Sequence, residues 1–448
     1  MNATVTVTRL FLSRLFADRQ AWLLPVAAFA VVSALSLSVA GGVRFFFTLD
    51  QQTVGTMGGF YMVLAALAAV LLVMPVISLA GAAAKLLARR RDERLSSLRL
   101  IGASSGLLRT LTIVEASVLA TVGSLTGVIG YGMLMPLAGM LRFVGGPIGM
   151  AGIWLGLPGL LAVLTVIVVV GVSASIGGLR RVEITPLGVR TRQRPARLHW
   201  LRIVAAVVLL IAGQLFANAL GAGSMMLLIV MVLVAFAVPM VALHFIGPWL
   251  IKIVTSWRLR RATTAEALVA ARAVLESPQQ AWSQIGGIAL TTYIGVVGGA
   301  GMSLASIASS GEGSAGMDPI EMNLMADLHT GVLLTMVIAF LLAACSVAIT
   351  QTAQVLDRAS LYQGLRRIGM SSDQLKSCRR RAVFGPLWIV LIFTLIAAVA
   401  TALPLLGIAV VVAPLSMLVV AVCLALGITL IQVGLLSSTS TLRVVTAN

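Results

Sequence analysis

The sequence contains few charged residues: Asp, Glu, Lys and Arg together make up 10% of its 448 residues, against about 25% in soluble globular proteins. Hydrophobic residues make up 59% of the chain, and the mean hydropathy is +1.06. Apolar runs long enough to cross a bilayer recur along the whole length. This composition excludes a soluble globular fold and predicts an all-α polytopic membrane protein.

Residues that bind metals or nucleotides are also scarce. The chain has three cysteines and three histidines, and neither set has the spacing of a zinc site or of a disulfide framework. No G-x-x-x-x-G-K-[ST] run occurs, so the loop that binds ATP phosphates is absent from this sequence. The segment 317–329 places three methionines near His329, which copper or haem iron would accept, but methionines that face the membrane are the simpler explanation. We therefore expect no catalytic residue, no metal site and no cofactor bound by this chain.

Orientation follows from the basic residues, because lysine and arginine are enriched in cytoplasmic loops. About ten apolar runs are predicted to span the membrane: 22–41, 58–87, 107–135, 152–176, 201–220, 224–254, 284–307, 330–352, 384–406 and 409–436. With both termini in the cytoplasm, all of the 32 basic residues except Arg44 and Arg142 fall on the cytoplasmic side. The net charge of +18 is then explained by loops that contact an anionic inner leaflet, and not by nucleic acid.

The chain contains an internal repeat. LFADRQAW at 15–22 is matched by LESPQQAW at 275–282, and LRLIGASSGLL at 98–108 is matched by LRRIGMSSDQL at 365–375. In each half, the first match lies at the end of a short amphipathic segment that suits the inner membrane surface, TRLFLSRLFADR at 8–19 and AEALVAARAVLESP at 265–278. Two matches in the same order indicate duplication, and parallel repeats are a known transporter plan. We predict a four-helix unit with an N-terminal amphipathic helix at 1–200, a two-helix linker at 201–255 and a second four-helix unit at 256–448.

The stretch RRRDERLSSLRLIGAS at 89–104 interrupts the apolar sequence with a basic, faintly amphipathic segment. Leu95, Leu98 and Ile101 recur at three-residue spacing and predict one face of a short helix on the membrane surface. Gly102 is suited to end that helix in a left-handed turn. An ordinary cytoplasmic loop would explain the arginines, but it would not explain the recurrence of the motif in the second half.

Glycines and one carboxylate stand out inside the predicted spans. GSLTG at 123–127 and GVVGG at 295–299 place glycines four residues apart, which predicts close helix packing. Glu115 falls near the cytoplasmic end of the third span, where an ionisable residue is costly and invites a functional role such as proton transfer. A structural or coupling role, with Arg109 as its partner, is the simpler interpretation.

The run from Glu93 to Ala103, followed by Glu115 and Ala116, resembles the signature of FtsX-like permease domains. These domains are the transmembrane subunits of MacB-type and bacitracin-export-type ABC transporters. ITPLGVR at 184–190 resembles the segment that closes the first domain in this family, and the second copy, from Tyr362 to Ser371, is similar to the second half of the bacitracin-export type. The resemblance covers nearly the whole chain and implies a fused two-repeat permease.

In that family, the motif docks into a separate cytosolic ATPase. The resemblance implies ATPase-coupling residues in both copies: Glu93, Leu95, Leu98, Arg99, Ile101, Gly102, Ala103, Tyr362, Leu365, Arg366, Ile368, Gly369, Met370 and Ser371. Ser360 stands where the first copy has Glu93, so we do not expect the two docking sites to be equivalent. The implied partner binds ATP and magnesium, with two ATPase copies per permease, in a bacterial cell membrane.

The leading hypothesis is an ABC exporter that moves an amphipathic, lipid-like or antimicrobial compound. A second is a signal transmitter, since FtsX-like proteins can regulate cell-wall enzymes without transport, although the short outer loops offer little docking surface. A third is an ion-coupled secondary transporter, which would need several ionisable residues near the midplane, where only Glu115 comes close.

Overall fold

The computed structural model describes residues 19–49, 58–100, 104–179, 225–310, 319–357 and 369–412, with Gly364, Arg367, Ala421, Ala425 and Thr429 as isolated positions. The described chain is helical apart from its connections and one hairpin of two-residue strands, β1 (Arg142–Phe143) and β2 (Gly146–Pro147). The helices are α1 (Arg19–Phe47), α2 (Gly58–Leu100), α3 (Ser105–Gly139), α4 (Gly149–Ile153), α5 (Gly156–Leu179), α6 (Met225–Arg260), α7 (Ala265–Glu276), α8 (Pro278–Ser310), α9 (Pro319–Asp357) and α10 (Ser372–Val412). The predicted all-α class is confirmed.

Seven of the described helices contain segments that are long and apolar enough to cross a membrane. They are Pro25–Phe47, Gly58–Ala83, Thr110–Gly139, Gly156–Ser173, Phe236–Arg260, Met322–Thr350 and Asp373–Thr401. Helix α8 adds a shorter apolar segment, Ile285–Ala300. The chain is therefore a multi-pass membrane protein. The predicted span at 201–220 and most of the one at 409–436 lie outside the described residues, so the count of ten stays a prediction.

The chain divides into two compact units that do not follow the sequence repeat. Unit 1 contains residues 1–45, 76–141 and 147–194, and unit 2 contains residues 46–75, 142–146 and 195–448. These units group residues by contact, whereas the predicted division at 200 and 255 is based on the repeat. That division stays a prediction.

In unit 1, α3 packs closely against α1 through the glycines of GSLTG. A Cβ on Gly123 would lie 2.5 Å from Cβ of Phe29, and one on Gly127 would lie 2.5 Å from Cβ of Ser33. Only glycine permits this approach between helices, as the four-residue spacing predicted. A second cluster surrounds Tyr131, whose hydroxyl donates to the Ile153 carbonyl at 2.6 Å and accepts from the Leu155 N–H at 3.1 Å.

In unit 2, α8 is the central helix and packs against α6, α9 and α10. Trp282 lies at the start of α8 and is 4% exposed, and its ring occupies the space beside Gly247 of α6. Ile285, Ala343 and Leu387 continue the same buried cluster. Helix α7 packs against α6 and α10, so this short helix is held by two membrane helices.

Helix α2 differs from its prediction. It runs without a break from Gly58 to Leu100, so the segment from Leu95 to Leu100 ends a long helix and does not form a separate short one. The reason is local, because no glycine or proline follows Gly81 in this helix and its alanines, leucines and arginines are strong helix formers. The part beyond Ala83 adds about 25 Å to the apolar segment.

Candidate functional site at the start of α10

The described chain contains only some of the predicted coupling residues. In the first copy, Glu93, Leu95, Leu98 and Arg99 lie on α2, where the structure describes the backbone alone, and 101–103 lie outside the described residues. In the second copy, Tyr362, Leu365, Arg366 and Ile368 lie outside the described residues. Gly369, Met370 and Ser371 are described, and they lead directly into α10.

Gly369 makes a left-handed turn before α10. Its φ is +97°, a conformation that glycine adopts without the steric cost that a Cβ imposes. This is the turn predicted for Gly102, the glycine at the same place in the first motif. Nothing lies within 4 Å of a Cβ built on Gly369, so the backbone conformation alone accounts for the glycine.

Ser371 caps α10 by a reciprocal pair of hydrogen bonds. The Gln374 N–H donates to Ser371 Oγ at 3.2 Å, and the Ser371 N–H donates to Gln374 Oε1 at 3.0 Å. This is a capping box, which satisfies two backbone donors at the first turn of a helix. The turn and the cap together set the direction in which α10 leaves the motif.

The first copy has the same serine but only half of the capping arrangement. Ser104 caps α3 with φ −67° and ψ 149°, and the Leu107 N–H donates to its Oγ at 3.3 Å. Leu107 stands where the second copy has Gln374, and leucine has no oxygen to accept the returning hydrogen bond. The two motifs therefore share a cap but differ in its strength.

Helix α7 contacts the first turns of α10 through hydrogen bonds and an ion pair. Ser377 Oγ donates to Glu266 Oε2 at 2.8 Å, and an Arg381 nitrogen lies 3.7 Å from the same oxygen. Arg381 also donates to Thr264 Oγ1 at 3.3 Å, and Thr264 caps α7 by accepting from the Ala267 N–H. The amphipathic segment predicted from AEALVAARAVLESP is confirmed as a helix.

A cavity of about 290 Å³ lies between α6, α7 and α10. Its lining among the described residues combines small apolar side chains of α7 with Phe384 and Trp388 of α10 and with two arginines, Arg258 and Arg381. Arg258 donates to the Gly385 carbonyl at 3.3 Å. An adjoining cavity of about 280 Å³ is lined by Arg380, Arg381, Phe384 and Trp388, so this end of unit 2 presents arginines beside aromatic rings.

Glu115 lies on α3 and is 7% exposed. It falls five residues after the start of the apolar segment at Thr110, about 8 Å along the helix axis, and so close to one end of the span. The side chain of Arg109, its predicted partner, lies outside the described side chains. The structural or coupling role of Glu115 stays a prediction.

Sequence reasoning missed a second polar cluster, which lies in unit 2. Asp327 Oδ2 accepts from the Tyr61 hydroxyl at 2.6 Å and from the Val144 N–H at 2.7 Å, and Asp327 is 8% exposed. The ring of Phe46 stacks on Tyr61 at 6.0 Å between centroids and meets Phe143 edge-on at 5.2 Å. The partners of Asp327 lie 266 and 183 residues away, so no local pattern indicates them.

The methionine-rich segment around His329 is described only in part, and its role stays a prediction. Among the residues that the structure describes, no group of three His, Cys, Asp or Glu side chains lies close enough to hold a metal ion. Met322 is 56% exposed, as expected for a methionine that faces lipid. The side chains of Met317 and Met325 lie outside the described ones.

Neither a protein-family model nor a curated protein matches this chain. The resemblance to FtsX-like permeases therefore depends on the quoted motifs and on their position relative to the helices.

Proposed function

We propose that this chain is the transmembrane permease subunit of an ABC exporter with an FtsX-like, mechanotransmission type of action. It moves an amphipathic, lipid-like or antimicrobial compound and is powered by a separate ATPase. The observation that carries the proposal is the common entry of both motif copies into a membrane helix. Ser104 caps α3 and Ser371 caps α10, and both helices continue into apolar segments.

This arrangement supports transmission of motion from the motif into the membrane. A capped helix start resists fraying, because its first backbone donors are satisfied. A force applied at the Gly369 turn would therefore displace α10 as a unit. Helix α7 would follow α10, since Glu266 binds Ser377 and lies near Arg381.

The energy source is proposed to lie in another subunit. The sequence has no phosphate-binding loop, and two motif copies offer two docking positions for two ATPase copies. Magnesium and ATP would bind to those subunits and not to this chain. The extension of α2 beyond its apolar segment supports this proposal, because it would hold the first motif clear of the membrane for a cytosolic partner.

The test is co-purification with an ABC ATPase from the same genome, co-expressed with this chain and compared between two glycine variants. Gly369→Ala forces a Cβ into the left-handed turn, at a cost of about 1–2 kcal/mol, and we expect a several-fold loss of ATPase binding and of substrate-stimulated ATP hydrolysis. Gly132→Ala is the control, because Gly132 is helical, lies outside both motifs and has nothing within 4 Å of its Cβ position. Absence of a complex with the wild-type chain, or equal activity of both variants, would refute the proposal.

The same preparation separates the alternatives. Reconstitution with the ATPase into vesicles should give ATP-dependent export of an amphipathic compound. A complex that hydrolyses ATP without any movement of compounds would favour the signal transmitter. Uptake driven by a proton or sodium gradient, without the ATPase, would favour the secondary transporter.

A further inference from the structure

We propose that the cavity between α6, α7 and α10 binds the phosphate headgroup of an anionic phospholipid. The lipid would come from the leaflet that the basic end of unit 2 contacts, which is predicted to be the inner one. Its acyl chains would lie along the exposed face of α10. This proposal does not depend on the transport function above, because it concerns only the cavity and the exposed residues beside it.

The charge of the cavity favours a phosphate. Arg258 and Arg381 line it, Arg380 lines the adjoining cavity, and Glu266 is the carboxylate that contacts Arg381. A guanidinium has five N–H donors, and the contacts to the carbonyl of Gly385, the hydroxyl of Thr264 and the carboxylate of Glu266 use only some of them. Arginine forks bind phosphate oxygens in pairs.

A buried hydroxyl in the cavity lining provides a second, independent indication. Thr255 is 5% exposed, it lines the cavity, and its Oγ1 has no hydrogen-bond partner among the described residues. A buried hydroxyl without a partner is costly, and a ligand oxygen that reached it would remove that cost. A headgroup oxygen between Thr255 and Arg258 would supply the absent partner.

The exposed residues of α10 distinguish a lipid from a soluble anion. Trp388, at the mouth of the cavity, is 53% exposed, and it is followed on the same face by Ile392 at 56% and Ile396 at 62%. Trp388 lies seven residues beyond Arg381, about 10 Å farther into the membrane. An apolar stripe that begins at a phosphate site fits acyl chains, whereas a free phosphate would make no use of it.

Aromatic residues at this end of unit 2 indicate the level of the lipid headgroups. Trp257 is 52% exposed, and the guanidinium of Arg261 lies 3.8 Å from the centre of its ring. Tryptophans concentrate at membrane interfaces, and basic pockets between membrane helices on the cytoplasmic side bind anionic headgroups. The volume of about 290 Å³ is at the small end of the range for ligand pockets, which suits a headgroup and not a whole lipid.

The first test follows the fluorescence of Trp388 in phosphatidylcholine vesicles that contain a small fraction of phosphatidylglycerol brominated on its acyl chains. The Trp388 signal is the difference between the full-length protein and its Trp388→Phe variant. We expect brominated phosphatidylglycerol to quench Trp388 more strongly than the same fraction of brominated phosphatidylcholine. We also expect Arg258→Gln to weaken this preference about tenfold, as for loss of a hydrogen bond to a charged group.

Arg260→Gln is the matched control, because it removes the same charge from the same helix end, and Arg260 does not line the cavity. It should change the preference less than twofold. An equal loss of the phosphatidylglycerol preference in both variants would show that general surface charge attracts the lipid. Equal quenching by both lipids would show that the protein does not select the headgroup. Displacement of phosphatidylglycerol by soluble glycerol phosphate at a comparable concentration would show a soluble-anion site. Each of these results would overturn the proposal.

A second variant guards against loss of folding. Thr255→Val keeps the shape of the side chain and removes only the unpartnered hydroxyl, so the lipid-free protein should be as stable as before or more so. We expect the same variant to bind phosphatidylglycerol several-fold more weakly. Unchanged lipid binding in Thr255→Val would contradict the assignment of the hydroxyl to the headgroup.

Discussion

Ser377 on α10 donates a 2.8 Å hydrogen bond to Glu266 on α7, a residue 111 positions earlier in the chain. This contact joins a short amphipathic helix to the start of a membrane helix. Arg381 lies near the same carboxylate oxygen and also donates to Thr264, the cap of α7. The amphipathic helix is therefore positioned by protein contacts, and the membrane surface alone does not hold it.

Removing the carboxylate of Glu266 should loosen α7. Glu266→Ala loses the Ser377 hydrogen bond and the neighbouring arginine contact. We expect the free energy that holds α7 against α10 to fall by about 1–2 kcal/mol. Cys378 reports this opening, because it is 5% exposed and its sulfur lies 3.7 Å from the Glu266 carbonyl. In a chain whose other cysteines are replaced, we expect the maleimide labelling rate of Cys378 to rise roughly tenfold. Glu276→Ala, at the exposed far end of α7, should leave that rate unchanged, and equal rates in both variants would contradict the prediction.

The capping box of Ser371 and Gln374 should stabilise the first turn of α10. Ser371→Ala removes the side-chain acceptor of a reciprocal box, and we expect it to cost about 1 kcal/mol at the first turn of α10. Hydrogen exchange at Gln374 and Leu375 should accelerate about fivefold. Gln374→Glu preserves the box and serves as the control. If Gln374→Glu accelerated exchange as much as Ser371→Ala, the capping box would not be the cause.

In the cluster of Asp327, Tyr61 and Val144, substitution of Asp327 should reduce stability most. Asp327→Ala leaves the Tyr61 hydroxyl and the Val144 N–H without their acceptor, and we expect a loss of about 2–4 kcal/mol in unfolding free energy. Tyr61→Phe should cost less, and a double-mutant cycle of Tyr61→Phe with Asp327→Ala should show a coupling of about 1 kcal/mol. Thermal unfolding in detergent measures all of these variants. Thr330→Val is the control, since Thr330 Oγ1 donates within its own helix to the Ala326 carbonyl at 3.1 Å. Additive effects of Tyr61→Phe and Asp327→Ala would refute an energetic coupling between the two side chains.

Close packing of α1 and α3 should depend on Gly123. In Gly123→Ala the new Cβ would meet Phe29 Cβ at 2.5 Å and the Val26 carbonyl at 2.9 Å, so the helices must separate at a cost of about 1–3 kcal/mol. Gly132→Ala lies on the same helix with nothing within 4 Å and should be neutral or slightly stabilising. The comparison uses the thermal midpoint of the purified protein. A lower midpoint for Gly132→Ala, or equal midpoints for the two variants, would count against the packing argument.

Features that depend on neighbouring residues were predictable from the sequence. The helix at Ala265–Glu276 follows from its capping Thr264 and its apolar spacing, and the glycine contacts of α3 follow from a four-residue interval. The turn at Gly369 follows from the motif that it shares with Gly102. In each case, the residues that determine the structure lie within about two helical turns of one another.

Features that depend on distant residues were not predictable. Nothing near Asp327 indicates that Tyr61 and Val144 would supply its hydrogen bonds, and the cavity at Arg258 forms only when α6, α7 and α10 meet. The separate short helix predicted from Leu95, Leu98 and Ile101 is wrong for another reason. Three-residue spacing predicts a separate surface helix, whereas the strong helix propensity of the whole segment extends α2 as far as Leu100.

Because Leu107 stands where the second motif has Gln374, α3 begins with one side-chain cap hydrogen bond and α10 begins with two. If identical ATPase subunits press on both motifs with equal force, the helix start with one cap hydrogen bond should yield before the one with two. The same force would then unwind the first turn of α3 but displace α10 as a unit. Replacing Leu107 with Gln would give both helices the same cap and would remove this difference in response.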